Sequence, residues 1–191
     1  MVGLLGGSFD PIHVGHLIVG RAVAEELGLD ELRFMPTGEQ PLKRGRHVAG
    51  AHHRVAMVAA AVGHEPGLAV ERLEAERPGP SYTVDTLRAL RAREPGREFV
   101  LLLGADAAAD LDQWHAAAAL PGLARLVAVA RPGAPRPLHP FLHQVVEAPA
   151  VEISSTAIRG RVAAGRSIRY LVPDAVAEYI ATHGLYRNGP G

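Results

Sequence analysis

Short apolar runs, separated by longer stretches of helical periodicity, are the feature that most narrows the fold of this 191-residue chain. Val2–Leu5, Leu32–Met35, Leu68–Leu73, Phe99–Leu103 and Leu126–Ala130 read as strands, with Phe99–Leu103 apolar at every position. An unbroken apolar run suits a strand covered on both faces, as in a parallel sheet. Helices are expected at Gly15–Leu27, near His52–Val62, at Thr83–Arg93 and over the alanine-rich Asp106–Leu120. Val145–Ile153 reads as extended, and two further helices follow near Thr156–Ala164 and Pro173–His183. This alternation predicts an α/β fold: a Rossmann-like doubly wound parallel sheet, with C-terminal helices. One domain over residues 1–191 is expected, its C-terminal helical part covering about 154–187. In such sheets ligands bind at the carboxyl ends of the strands, where the strand order reverses.

Composition removes several functional classes. The 20 basic and 20 acidic side chains cancel, so no net field recruits nucleic acid or an anionic membrane. Any bound anion needs a local set of donors. The chain has no cysteine, which excludes disulfides, thiol catalysis and cysteine-held zinc. Met1–Leu5 lacks the charged flank and apolar run of a signal peptide, and no stretch approaches the roughly 20 apolar residues of a membrane span. A cytoplasmic protein is expected, and the sequence is compatible with a homo-oligomer.

The first strand runs directly into Gly6-Gly7-Ser8-Phe9-Asp10-Pro11-Ile12-His13-Val14-Gly15-His16, where a helix is expected to start. Paired glycines let backbone approach a ligand and adopt positive φ, and a helix start offers free N–H groups to phosphate. His13 and His16 are three apart, so both rings can face one phosphoryl group if the helix has begun by His13. Gly15 between them removes a side chain that would obstruct it. Asp10 and Pro11 are read as shaping the turn. The G-x-x-x-x-G-K-[ST] loop is absent, and so are G-x-G-x-x-G and its acidic ribose partner, which disfavours a P-loop enzyme and a dehydrogenase. His47, His52 and His53 show no metal-ligand spacing and read as a solvated face, while Arg54 and Met57 are expected to pack. Ser81 or Thr83 would cap the helix that follows Pro78-Gly79-Pro80.

The segment Gly6–His16 resembles the signature of the HxGH adenylyltransferase superfamily. Ile153-Ser154-Ser155-Thr156-Ala157-Ile158-Arg159 looks like that superfamily's C-terminal triphosphate motif. Pro80-Ser81-Tyr82-Thr83-Val84-Asp85-Thr86-Leu87, Leu103-Gly104-Ala105-Asp106, Trp114 and Ala130-Arg131-Pro132-Gly133 are similar to the bacterial nicotinate-mononucleotide adenylyltransferases. The resemblance runs from Gly3 to about Ile158. It implies transfer of AMP from ATP to nicotinate mononucleotide, giving deamido-NAD and pyrophosphate.

The resemblance further implies an ATP site made of Gly6, Gly7, Ser8, Phe9, His13, His16, Ser154, Ser155, Thr156 and Arg159. His13 and His16 would be the catalytic pair. The acceptor would meet Lys43, Tyr82, Thr83, Asp106, Trp114 and Arg131, with Arg46 a second candidate for its phosphate. Trp114 reads either as a core aromatic or as a ring stacked on the pyridine, and Tyr82 as packing or site. No protein-held metal is expected, with Mg²⁺ arriving on the ATP phosphates. The family pattern Pro-His-Lys/Arg is here Pro41-Leu42-Lys43, and Leu42 cannot donate a hydrogen bond. Rival readings are an adenylyltransferase acting on phosphopantetheine or flavin mononucleotide, and a non-catalytic nucleotide sensor.

Overall fold

A computed structural model describes residues 1–38 and 48–187. Strand β1 (Val2–Gly7) lies inside a six-stranded, all-parallel sheet with β2 (Glu31–Pro36), β3 (Leu68–Val70), β4 (Phe99–Gly104), β5 (Arg125–Ala130) and β6 (Leu142–Glu147). The order is β3-β2-β1-β4-β5-β6, so the winding direction reverses between β1 and β4. At that switch point the connections leave to opposite sides, and a crevice opens beyond the strand ends. The crevice is therefore flanked by Gly7, which ends β1, and Gly104, which ends β4.

The period of two along the strands divides the core. Phe99, Leu101 and Leu103 of β4 pack with Val2 and Leu4 against Val84, Leu87 and Leu90. These last three lie on helix α4 (Thr83–Arg93). Val100 and Leu102 face the other way, into a cluster with Phe34, Met57, Ile158, Val176 and Ile180. That second layer is carried by α1 (Val14–Glu26), α2 (Ala51–Val62), α6 (Ser155–Ala163) and α7 (Asp174–Thr182). No helix among the described residues is long and apolar enough to cross a membrane.

Three segments differ from the sequence expectation. The third strand stops at Val70, and a short helix α3 (Leu73–Glu76) follows, because only residues 68–70 pair with β2. The helix expected over Asp106–Leu120 is broken into α5 (Ala105–Ala109) and two 3₁₀ turns, Leu111–Gln113 and Ala117–Gly122. In a continuous helix Ala108 and Ala117 would point to opposite sides, yet both are buried in one cluster. Breaking the chain, with Ala116 at φ 50°, turns both inward, and alanine propensity is too weak to resist. The last strand is Leu142–Glu147 rather than Val145–Ile153. One more ladder bond joins the Ala148 N–H to Ala130, and Pro149 then has no N–H with which to continue.

Candidate active site

The glycines of the first turn remain in β1, and the left-handed residue is Phe9 at φ 46°. The expected positive φ therefore falls on Phe9, not on the Gly pair. Gly7 is needed for space: a Cβ there would lie 2.8 Å from the Phe9 ring. Phe9 is buried and meets the His16 ring edge-on, with centroids 5.0 Å apart. Four side chains and two amides hold the turn from outside. Arg54 Nη1 donates to Ser8 O at 2.9 Å, Arg159 Nη1 to Asp10 O at 2.8 Å, and Ser155 Oγ to Pro11 O at 2.8 Å. The buried Asp10 carboxylate accepts from the N–H groups of Val48 and Ala49 and from the Tyr186 hydroxyl. Its role is the shaping of the turn, as the sequence suggested.

His13 is the N-cap of α1 rather than part of it, and Val14 begins the helix. The two imidazoles stack with centroids 3.7 Å apart, and the His13 peptide N–H donates to His16 Nδ1 at 3.2 Å. Burial lowers the His13 pKa from 6.5 to about 4. Burial, and secondarily the neighbouring His13, lowers His16 to about 3. Both rings are neutral at pH 7. Because His16 Nδ1 accepts, its proton sits on Nε2, where it can be donated. Gly15 acts by making room: a Cβ there would sit 3.1 Å from His13 Nδ1 and 3.3 Å from Val151.

The start of α1 offers fewer free donors than expected, because the Val14 N–H is taken by Leu171 O. The start of α6 is better supplied. Ser154 caps it by accepting from the Ala157 N–H at 3.1 Å. The amides of Ser155 and Thr156 have no protein partner among the described residues, so they remain available to an anion.

Two arms of one cleft open at the switch point, sharing Gly6, Gly7, Gly104 and Ser155. One arm, of about 600 Å³, is bounded by Ser8, Asp10, Thr37, Glu74, Ser81, Thr83, Trp114, Thr156 and Arg159. The other, of about 460 Å³, is bounded by Phe9, His13, His16, Ser154, Arg131 and Val151. Sequence reasoning grouped Arg131 with the acceptor residues, whereas it lies in the arm with the histidines. Asp106 is exposed in the first turn of α5 and does not line either arm. Tyr82 packs on His115 with centroids 4.5 Å apart and is likewise outside the lining. Trp114 rests on the core cluster and also lines the first arm of the cleft. Lys43, Arg46 and Leu42 lie outside the described residues.

Neither Ser81 nor Thr83 caps α4. Tyr82 holds the N-cap position, and Ser81 Oγ donates to Glu74 O at 3.3 Å. The amides of Thr83 and Val84 have no partner among the described residues. Sequence reasoning missed Glu74, whose carboxylate is buried beside the cleft and accepts from Thr86 Oγ1 at 3.1 Å. Burial pushes its pKa up, against the pull of that hydroxyl. In the sequence it belongs to Glu74-Ala75-Glu76-Arg77, a charged run with no motif that marks a buried carboxylate. His52 and His53 form an aromatic cluster with Tyr179 and His183.

A switch-point cleft with stacked neutral imidazoles on one side and a donor-rich helix start on the other defines a nucleotide-binding α/β protein built for phosphate chemistry. Residues 4–161 match the family described as cytidylyltransferase-like. Over 196 residues the chain is 48% identical to a protein of Roseiflexus sp. named "Probable nicotinate-nucleotide adenylyltransferase", covering 97% of this chain and 98% of that one. It is 49% identical over 186 residues to a Thermus thermophilus protein of the same name, covering 97% and 99%. Among solved structures, Plasmodium falciparum nicotinic acid mononucleotide adenylyltransferase complexed with NaAD superposes with TM-score 0.75 at 19% identity, over 98% of each chain. The chain belongs to the nicotinate-nucleotide adenylyltransferase family within the cytidylyltransferase-like proteins.

Proposed function

We propose that this chain transfers AMP from ATP to nicotinate mononucleotide, forming nicotinate adenine dinucleotide and pyrophosphate in cytoplasmic NAD biosynthesis. The observation that carries the reading is the meeting of two segments 144 residues apart, where Ser155 Oγ donates to Pro11 O and closes one phosphate cleft. A phosphate oxygen of the acceptor attacks the α-phosphorus in line. A new P–O bond forms, the bond to the bridging oxygen of the β-phosphate breaks, and pyrophosphate leaves. The nucleophile is already an anion at neutral pH, so the reaction asks for positioning and charge stabilisation rather than a base.

In this reading the His16 Nε2–H donates to an α-phosphate oxygen as charge develops there, and His13 orients the α- and β-phosphates. Ser155, Thr156 and Arg159 hold the triphosphate, through amides, a hydroxyl and a guanidinium. Thr83 and Trp114 take the acceptor's pyridine end, with Lys43 for its phosphate. Mg²⁺ suits this cleft as a passenger on the triphosphate, where it neutralises phosphate charge. Asp10 is committed to three donors, and the described residues hold no cluster of metal-ligating side chains. The deciding experiment is pyrophosphate release with ATP fixed and the acceptor varied. Nicotinate mononucleotide should be the best acceptor. Turnover with flavin mononucleotide or phosphopantetheine instead would overturn the assignment, and no pyrophosphate release with any acceptor would favour a non-catalytic sensor.

A further inference from the structure

Asp10 stands between the two residues that fix the site. On one side is Phe9, whose ring meets His16, and on the other is Pro11, whose carbonyl accepts from Ser155. Asp10 is 2% exposed, and its carboxylate accepts three hydrogen bonds: Val48 N–H at 2.7 Å, Ala49 N–H at 3.2 Å and the Tyr186 hydroxyl at 2.6 Å. The two amides come from the approach to α2. The hydroxyl comes from 176 residues away, outside the segment that the family model matches.

Two observations set Tyr186 apart from ordinary packing. Its backbone is left-handed, at φ 63°, a conformation that side-chain-bearing residues rarely adopt and that persists only where the surroundings impose it. Phe9, next to Asp10, is left-handed as well, so strained backbone flanks the Tyr186–Asp10 bond on both sides. The phenol is buried, and it donates its one proton to an acceptor that can only accept. Burial, reinforced by that hydrogen bond to Asp10, raises the phenol's pKa, so the proton stays in place.

We propose that Tyr186 is a positioning residue for adenylyl transfer: its hydroxyl, acting through the Asp10 carboxylate, holds the Ser8–Pro11 turn and so sets the stacked His13–His16 pair against the triphosphate. The inference rests on the function proposed above. Tyr186 touches no substrate in this account. It removes the freedom of Asp10 to rotate, and Phe9 and Pro11 pass that constraint to His16 and Ser155. A donor displaced by a fraction of an ångström loses far more in the transition state than in the ground state, because the developing charge is where its aim matters.

The test is Tyr186→Phe, which deletes one oxygen and keeps the ring. At saturating ATP and nicotinate mononucleotide, kcat should fall about tenfold or more, while the KM for ATP changes less than about threefold. Asp10→Asn and the double variant complete a cycle. If Tyr186 works through Asp10, the double variant is no slower than Asp10→Asn alone, whereas losses that multiply would overturn the proposal. A kcat within about twofold of wild type, with only the melting temperature lowered, would also overturn it and make Tyr186 a stability residue. A readout independent of turnover is the ¹⁵N imidazole spectrum of the full chain. Tyr186→Phe should shift the His13 and His16 signals and leave those of His64 and His143 unmoved; unshifted signals would refute the coupling. This spectrum decides the proposal even if the wild type proves inactive toward nicotinate mononucleotide, an outcome that would sink the function alone.

Discussion

The peptide N–H of His13 donates to Nδ1 of His16, and the two rings stack with centroids 3.7 Å apart. One short contact thus decides three properties: which ring nitrogen of His16 carries the proton, where that proton points, and how close the second ring sits. Two charged imidazoles could not stack so closely without repulsion. Burial keeps both neutral, with pKa values of about 4 and about 3.

His16→Ala should lower kcat by about two to three orders of magnitude, with ATP binding nearly unchanged. A donor aimed at developing charge is worth roughly 2.7–4 kcal/mol in the transition state and much less before it. Steady-state kinetics together with calorimetric binding of a non-hydrolysable ATP analogue would measure the two effects separately. A kcat close to wild type would make His16 a structural residue.

The same pair predicts an acid limit on stability. Both folded pKa values lie below the unfolded value of 6.5, so below that pH the unfolded chain takes up protons that the folded chain refuses. The pair's contribution is fully present above pH 6.5. It falls through the window down to about 4 for His13 and about 3 for His16. Urea unfolding at pH 7, 6 and 5 should show the decline, and His16→Asn should flatten it. An equal slope in that variant would remove His16 from the account.

Arg159→Ala should raise the KM for ATP while leaving AMP affinity nearly unchanged. The guanidinium lines the cleft beside the amides of Ser155 and Thr156, where the triphosphate tail is expected, and AMP ends at its α-phosphate. Arg159 also donates to Asp10 O, so a loss of fold would weaken both ligands alike. Titration of each nucleotide distinguishes the two outcomes.

Nicotinate mononucleotide should be preferred over nicotinamide mononucleotide by at least about tenfold in kcat/KM. The amides of Thr83 and Val84 at the start of α4, which have no partner among the described residues, favour a carboxylate, and an amide group there leaves a donor unpaired at about 1–3 kcal/mol. Thr83→Pro should shrink the ratio: Thr83 is the first residue of α4, where proline's φ is tolerated but its N–H is missing. Trp114→Ala should slow both acceptors and leave the ratio unchanged. Equal wild-type efficiencies would sink the carboxylate site.

Gly38→Ala should cost stability and acceptor turnover together. A Cβ there would lie 2.3 Å from the Glu74 carbonyl oxygen and 2.7 Å from Ser81 Oγ. Backbone must move to admit it, and overpacking of this kind costs about 1–3 kcal/mol. Thermal melting and acceptor KM would report the two effects, and an unchanged melting temperature would mean that α3 yields freely.

The sheet, its helices and the two phosphate motifs were legible in the sequence because each is a local pattern. Apolar runs, helical periodicity and a strand-to-helix turn depend on neighbours a few residues apart. His13 and His16 were legible as a pair from their spacing, but their stacking comes from His13 standing at the N-cap of α1, where its N–H meets His16 Nδ1. Where packing competes with local preference, the sequence misled: alanine-rich 106–120 broke so that Ala108 and Ala117 could share one core cluster. The turn glycines were read as conformational, yet the left-handed residue is Phe9, because Gly7 yields its side-chain volume to the Phe9 ring. Glu74 belongs to no motif in the sequence and is buried, its partner Thr86 lying on the next helix. Only the tertiary structure decided that Arg131 joins the histidine arm, and that Tyr186 satisfies Asp10 across 176 residues. Such pairings have no sequence signature, because a hydrogen bond is set by the position of two groups in space, and that position exists only once the sheet order and the helix packing have brought the ends of the chain together.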